Sequence, residues 1–307
     1  MKKLTVHPSP LTNTKNSTFQ IMFCVIAALM PTAICGCFQF GLDAVMVLLA
    51  TTGTAVLTEI IWQTLFGKQL TAPDGSAAVT GLILGLCLPP SFPVYWAAAG
   101  SAFAIIVVKQ LFGGIGKNFA NPALTAKTLL MLLFMQEMHT WTFPDGHTEV
   151  ITETAELTQQ KSFWDLMLGN TPGCIGHICA AGIILGGVFL ILKGIISPAA
   201  PAAFIGSFAL LSLIAGDSLT LRLLSGSLLF CAVFAATDYT TTPVTVTGKT
   251  VFGIGCGCLS YFISRYGGYA DGSVLAVLIM NLFVPLIDRI TAPRVFGSEI
   301  PRSSENQ

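Results

Sequence analysis

The residues best equipped to do chemistry sit in three short runs that interrupt an otherwise oily chain. The first, KQLFGGIGKNFANPAL from Lys109 to Leu124, places Gly113, Gly114 and Gly116 ahead of Asn118 and Asn121-Pro122. The glycines permit an irregular backbone, and Asn before Pro reads as an N-cap followed by a first-turn proline. A helix starting there would aim free N–H groups at an anion such as a phosphate, although an ordinary loop-to-helix start has the same spacing. The second, AATDYTTTPVT from Ala235 to Thr245, gathers Asp238 with Thr237, Thr240, Thr241 and Thr242 before Pro243. So many oxygens at a broken helix suit an ion or cofactor site, and equally a capped turn. The third, YGGYADG from Tyr266 to Gly272, precedes a helix carrying Asn281 and Pro285.

Two further charges, Glu59 and Lys127, fall inside apolar runs. Each costs about 2.5–3.5 kcal/mol at the centre of a membrane helix on insertion scales, so each must face protein or water. Pairing of Glu59 with Lys127 is the structural expectation, and a part in cation movement the functional one. Of the nine cysteines, Cys24, Cys87, Cys174, Cys179 and Cys231 read as small buried hydrophobes. Cys35-Gly-Cys37 and Cys256-Gly-Cys258 offer four thiolates of the kind that hold iron–sulfur clusters, but no spacing forces the pairs together. His7, His139, His147 and His177 show no metal-ligand spacing, and no P-loop, nucleophile elbow or zinc-protease motif occurs. No catalytic side chain and no metal ligand is assigned.

The elements that position these runs follow from composition. Of 307 residues 53% are hydrophobic and 10% charged, where a soluble domain carries roughly 25% charge. Too few charges remain to clothe a soluble core, so lipid must supply the outer shell. With 15 basic and 15 acidic residues there is no net field to attract nucleic acid. Charge-free stretches from Asn16 to Leu42, Gly75 to Val108, Leu166 to Leu192 and Gly194 to Gly216 are each long enough to cross the hydrocarbon. Pro89-Pro90 and Pro93 split the second into two helices.

The predicted fold is an all-α integral membrane protein of about ten transmembrane helices in two inverted five-helix repeats. The predicted spans are 21–41, 44–66, 77–90, 93–112, 120–136, 173–193, 197–216, 219–237, 250–266 and 272–290. This divides the chain into a cytoplasmic segment 1–20, a first repeat 21–136, an extracytoplasmic loop 137–172, a second repeat 173–290 and a cytoplasmic tail 291–307. Five spans per half force opposite orientations, the inverted arrangement common among transport folds. With the N-terminus inside, eleven Lys and Arg fall in cytoplasmic segments and only Lys161, Arg222 and Arg265 outside, as retention of positive charge requires. Lys2-Lys3 is followed by a polar stretch and not by a cleavable apolar segment, so the first helix serves as the insertion signal. The acidic 137–172 loop is the one sizeable soluble surface and the best docking site for a partner on its face.

The HPSP opening at His7 to Pro10, FGGIGKNFANPAL, LGNTPGCIG from Leu168, ATDYTTTPVT, GKTVFGIGCG and YGGYADG…MNLFVPLIDR together resemble the RnfD component of the Rnf electron-transport complex and the related NqrB component of the sodium-pumping quinone reductase. Matching stretches cover most of the chain. The resemblance implies a membrane component of an ion-translocating oxidoreductase, in the bacterial cytoplasmic membrane with both termini inside, among other membrane and peripheral subunits. The complex would pass electrons between ferredoxin and NAD and export Na+ or H+. It also implies FMN joined through its phosphate to a threonine on the outer side, with room for a second, noncovalent flavin.

The acceptor motif of that family matches Glu149 to Leu157 best, and this places Ala155, which has no oxygen to phosphorylate, at the acceptor position. Thr154, one residue earlier, is the nearest substitute, with Thr152 and Thr158 behind it. The residues carried forward as cofactor-binding are therefore Thr154, Gly113, Gly114, Asn118, Asn121, Asp238, Thr240 and Thr241. A channel or transporter for a small solute on the same fold, without redox activity, is the competing reading, because fold alone does not fix function.

Overall fold

The computed structural model describes residues 17–143, 148–150, 162–217, 219–224, 227–267 and 272–292. Helix α1 (Thr18–Phe40) starts from a capping box, in which the Ser17 hydroxyl accepts from the Gln20 amide at 3.3 Å and the Gln20 side chain accepts from the Ser17 amide at 3.1 Å. It ends at Gly41, whose φ of 65° lets the chain reverse within one residue into α2 (Leu42–Leu65). A single 3-10 turn, Ala72–Asp74, leads to α3 (Ser76–Leu86), and α4 (Val94–Gln110) finishes as a π-helix over Ala104–Gln110. Helix α5 (Pro122–Leu133) is followed by the short α6 (Met135–Met138). Next come β1 (Thr140–Thr142) and β2 (Thr148–Val150), α7 (Phe163–Leu168), α8 (Ala180–Leu192) and α9 (Ala199–Ile214). The order closes with α10 (Leu219–Leu224), α11 (Ser227–Phe230) running on as a π-helix over Cys231–Ala235, α12 (Val246–Tyr266) and α13 (Gly272–Thr291).

The chain is an all-α membrane protein. Helices α1, α2, α12 and α13 are each long and apolar enough to cross a bilayer, and α3, α4, α5, α8 and α9 are shorter apolar helices. Its outer surface is oily: Phe38 is 87% exposed, Leu192 81% and Leu49 67%, an arrangement that water would penalise and lipid tails accept.

Three departures from the expected spans have local causes. The third span is cut to eleven residues because the chain turns at Leu88-Pro89-Pro90. The sixth begins at Ala180 and not at 173, since Pro172, Gly173 and Gly176 keep residues 171–179 irregular although they are buried. That loop satisfies its backbone by pairing with the end of α3: the Ile175 amide donates to the Leu88 carbonyl at 3.1 Å and the Gly176 amide to the Leu86 carbonyl at 2.7 Å. The eighth, where it is described, is helical over 219–224 and 227–230 and ends as a π-turn over Cys231–Ala235. A small antiparallel hairpin, β1 with β2 in the register Trp141 opposite Glu149, interrupts the helices of the connector.

With lipid outside, helices associate through close backbone approach, and small residues four apart supply it. Gly253 and Gly257 seat α12 against α9, where a Cβ on either would lie 2.5 Å from a carbonyl oxygen, of Ala200 and Phe204 respectively. Gly182 and Gly186 do the same for α8 on α1, and Gly81 and Gly85 for α3 on α2. Replacing Gly257 by valine is therefore expected to destabilise the bundle by about 1–3 kcal/mol through overpacking, read as a lower melting temperature in detergent, with Gly206→Ala, which meets nothing within 4 Å, as the silent control.

At the bundle end where α9 and α12 finish, Asp217 ties the helices together. Arg265 Nη1 donates to both its oxygens at 2.7 and 2.8 Å, the Tyr261 hydroxyl donates at 3.2 Å, and Arg222 Nε lies 3.4 Å away. Burial acts to raise the Asp217 carboxyl, but the Arg265 hydrogen bond and the charges of Arg222 and Arg265 outweigh it and hold the group below the usual aspartate range. A depressed folded-state carboxyl contributes stability above its unfolded pKa and loses it as pH falls through the folded one. Thermal melts are thus expected to separate the parent protein from Asp217→Asn at neutral pH and to bring them together as pH falls through the lowered folded-state value, with a modest gap because the arginines are partly solvated.

Candidate functional site

Two polar centres, the first partly and the second fully buried, occupy the bundle end that holds the start of α1. The first is assembled from both halves of the chain. The Asp238 carboxylate, in the connector between the π-turn and α12, accepts through Oδ2 from Thr240 and Thr241 hydroxyls at 3.1 Å each and from Asn121 Nδ2 at 3.4 Å. Asn121 also caps α5, its Oδ1 accepting from the Ala123 and Leu124 amides at 3.0 and 3.3 Å. Asn281 of α13 closes the ring. With its amide oriented to satisfy its neighbours, it donates to the Thr241 carbonyl at 3.1 Å and accepts from the Asn121 amide at 3.2 Å. Burial pushes the Asp238 carboxyl above its ordinary range, against the pull of the Thr241 and Thr240 donors.

Asp238 and Tyr239 lie where two hollows meet. One is a cavity of about 380 Å³ bordered by Ser197, Thr237, Thr242 and Lys249. The other is a narrow apolar slot of about 50 Å³ between Val25, Val79, Leu190 and Phe234. The pair forms a polar chamber opening toward an apolar cleft, the lining that small-molecule sites use.

Of the sequence-predicted site residues, Asn121, Asp238, Thr240 and Thr241 are brought together. Gly113 and Gly114 are not; they border a separate crevice, and their amides donate to the Gln110 and Lys109 carbonyls at 3.2 and 3.0 Å, closing the end of α4. The expected anion cradle is therefore absent from these glycines, and at the start of α5 the Asn121 side chain already takes the first free amides. Asn118 has a buried Oδ1 with no hydrogen-bond partner, an acceptor that suits an N–H and not a phosphate. Thr154, with Ala155, Thr152 and Thr158, lies outside the described residues.

The second centre corrects the expected Glu59–Lys127 pairing. The Glu59 carboxylate, fully buried, pairs with Lys109, whose Nζ is 2.8 Å from Oε1 and 3.0 Å from Oε2 and donates to Ser76 Oγ at 2.7 Å. Lys127 is buried on α5. Gln110 Nε2 and Gln63 Nε2 donate to Glu59 Oε1 at 2.9 and 3.2 Å, and the Thr71 hydroxyl does so at 3.3 Å. Lys109 and Gln110 reach one carboxylate although adjacent in sequence, because the π-helix packs more residues into each turn than an α-helix and narrows the angle between neighbours. Charge placement along the chain puts Lys109 in a cytoplasmic segment; no sequence signal announces the π-turn that carries it inward. Among the described residues no group of three or more His, Cys, Asp or Glu could hold a metal ion.

A model of the NQR2, RnfD, RnfE family matches residues 5–297. The chain is 38% identical over 303 residues to the D subunit of the Na(+)-translocating ferredoxin:NAD(+) oxidoreductase complex of Acetobacterium woodii, covering 96% of this chain and 95% of that one. It is 34% identical over 319 residues to the D subunit of the proton-translocating ferredoxin:NAD(+) oxidoreductase complex of Clostridium ljungdahlii, covering 96% of each. The D subunit of an ion-translocating oxidoreductase complex from Methanosarcina acetivorans is 34% identical over 298 residues, with 97% and 98% covered.

Proposed function

The chain belongs to the NQR2, RnfD, RnfE family, and from that membership we propose that it is the D subunit of an ion-translocating ferredoxin:NAD+ oxidoreductase. It works as one membrane component among the others of an Rnf-type complex and is not a complete enzyme alone. The near end-to-end match to relatives carrying that name is the observation that supports the reading. The buried ionisable residues agree with a path for cations. Both termini face the cytoplasm in this reading, because that orientation keeps ten of the fifteen basic residues inside, Lys109 being held in the bundle by Glu59. The two polar centres then open to the cytoplasmic side, and residues 137–172 face outward.

The Asp238 chamber is the proposed noncovalent flavin site. Its residues fit such a group: the cavity has the size of a small-ligand site, the Asp238 carboxylate is an acceptor for a ring N–H, and Lys249 suits a phosphate at the rim. A flavin bound there would supply one-electron chemistry, while the chain positions the ring and excludes water. With Ala155 at the family's acceptor position, an outer, covalent flavin would need Thr154 as a substitute acceptor; the alternative is a flavin held without a covalent bond.

Purifying the complex and assaying ferredoxin-dependent NAD+ reduction tests the assignment; isolation without redox partners, together with solute uptake in vesicles, would overturn it. For the cofactor, a denatured polypeptide that fluoresces in a gel under ultraviolet light and goes dark in Thr154→Ala would establish the shifted covalent site, and a dark band would leave only noncovalent flavin or none. Acid extraction is expected to release about one further flavin per chain, lost in Asp238→Leu.

A further inference from the structure

The Glu59–Lys109 pair is more elaborate than a helix brace requires. A buried ion pair stabilises weakly at best, since desolvating two charges offsets most of their attraction, and two leucines would hold α2 to α4 as well. Here four donors converge on one carboxylate, the Lys109 ammonium, the Gln63 and Gln110 amides and the Thr71 hydroxyl, while Ser76 holds the ammonium from the other side. Directly outside lies a crevice of about 380 Å³ whose walls include Gln63, Thr71 and Gln110 of the network itself. Asp74 stands on the same wall, and its charge attracts Lys109. Lys68 sits at the exposed rim.

We propose that Glu59 is a binding site for a transported Na+ ion and that the Lys109 ammonium is its tethered competitor, passed to Asp74 when the ion arrives. The inference rests on the cation-translocating reading given above. Without the ion, Lys109 neutralises Glu59 and the exposed crevice wall keeps the single negative charge of Asp74, which draws a cation in; with Na+ on Glu59 and the ammonium on Asp74 the set is neutral. The ligand chemistry also fits. With the ammonium gone, Glu59 offers two oxygens, Ser76 and Thr71 a hydroxyl each, and a half-turn of the Gln110 amide exposes a carbonyl oxygen, while the Gln63 carbonyl stays on the Thr71 amide at 2.8 Å; the five oxygens are of the kind hard cations prefer. The π-helix gives Lys109 a way to move, because reverting Ala104–Gln110 to α-helical geometry turns its side chain away from Glu59.

The purified complex, with this chain carrying Lys109→Met or Asp74→Asn, separates the proposal from a structural brace. Removing the competitor is expected to lower the Na+ concentration giving half-maximal ferredoxin:NAD+ activity about tenfold, and removing the alternative seat of the ammonium to raise it about tenfold. Melting temperature in NaCl against choline chloride gives a second readout, with Lys109→Met gaining the larger Na+-dependent rise. Shifts in the same direction for both variants, or a melting temperature indifferent to Na+ in Lys109→Met, would overturn the proposal. So would a dependence on pH alone, which would make the carboxylate a proton site. Failure of the complex to reduce NAD+ even with the unaltered chain would instead refute the functional assignment.

Discussion

Replacing Glu59 with leucine is expected to destabilise the protein by about 3–5 kcal/mol, the cost of leaving a buried partner charge uncompensated. Lys109 would stay 2% exposed with only the Ser76 hydroxyl, and the Gln63 and Gln110 amides would lose their acceptor. The double variant Glu59→Leu/Lys109→Met is expected to recover most of that loss, since an apolar pair of similar volume needs no solvent. Melting of the purified protein in detergent, for both single variants and the double, measures the coupling as a double-mutant cycle. A double variant no more stable than Glu59→Leu would show that the two side chains do not act as a unit. Stability and cation exchange are separate properties of the pair: the double variant is expected to fold and to have lost its response to Na+.

The same residues show how far the sequence can be read. Lipid exposure follows from composition alone, so the membrane class is legible without any motif. The Asp238 centre is legible too, because Asn-Pro and Asp-Tyr-Thr-Thr-Thr-Pro announce caps and broken helices by chemistry that is local in sequence. What joins them is not local: Asn121 and Asp238 are 117 residues apart, and Asn281 completes the ring from the last helix. Glu59 reads as a charge needing a partner, and Lys127 is the other charge left inside an apolar run once Lys109 is assigned to a cytoplasmic segment. The π-turn shifts the facing of every residue after Ala104, and thereby converts Lys109 from a cytoplasmic-segment lysine into the partner. The anion cradle fails for a similar reason. Positive φ angles at Gly113, Gly114 and Gly116 are foreseeable, whereas the use of the Gly113 and Gly114 amides to close α4 depends on where that helix stops.

Asn121→Asp is expected to have the second large effect, and one that depends on pH. Aspartate retains the oxygen that caps α5, so the helix start should survive, but the donor that Asn121 presents to Asp238 becomes a second carboxylate 3.4 Å away. Two carboxylates that close cannot both ionise cheaply, and burial already holds the Asp238 carboxyl above its usual range. The variant should therefore bind a proton more tightly when folded than when unfolded, so its stability is greatest at low pH and falls as pH rises through the folded-state value. At the alkaline end of the accessible pH range the loss is expected to reach about 3 kcal/mol, combining a charge-assisted hydrogen bond with the new repulsion, and at the acidic end, where the pair holds a proton, to shrink to about 1 kcal/mol. Asn121→Ala provides the contrast: it removes cap and donor together, costing about 2–3 kcal/mol with a much weaker pH slope, because no second acid is introduced. Melting curves of both variants across that range decide the point. Parallel slopes for Asn121→Asp and Asn121→Ala would mean that residue 121 does not face the Asp238 carboxylate, and the proposed flavin chamber would lose the wall that orients it.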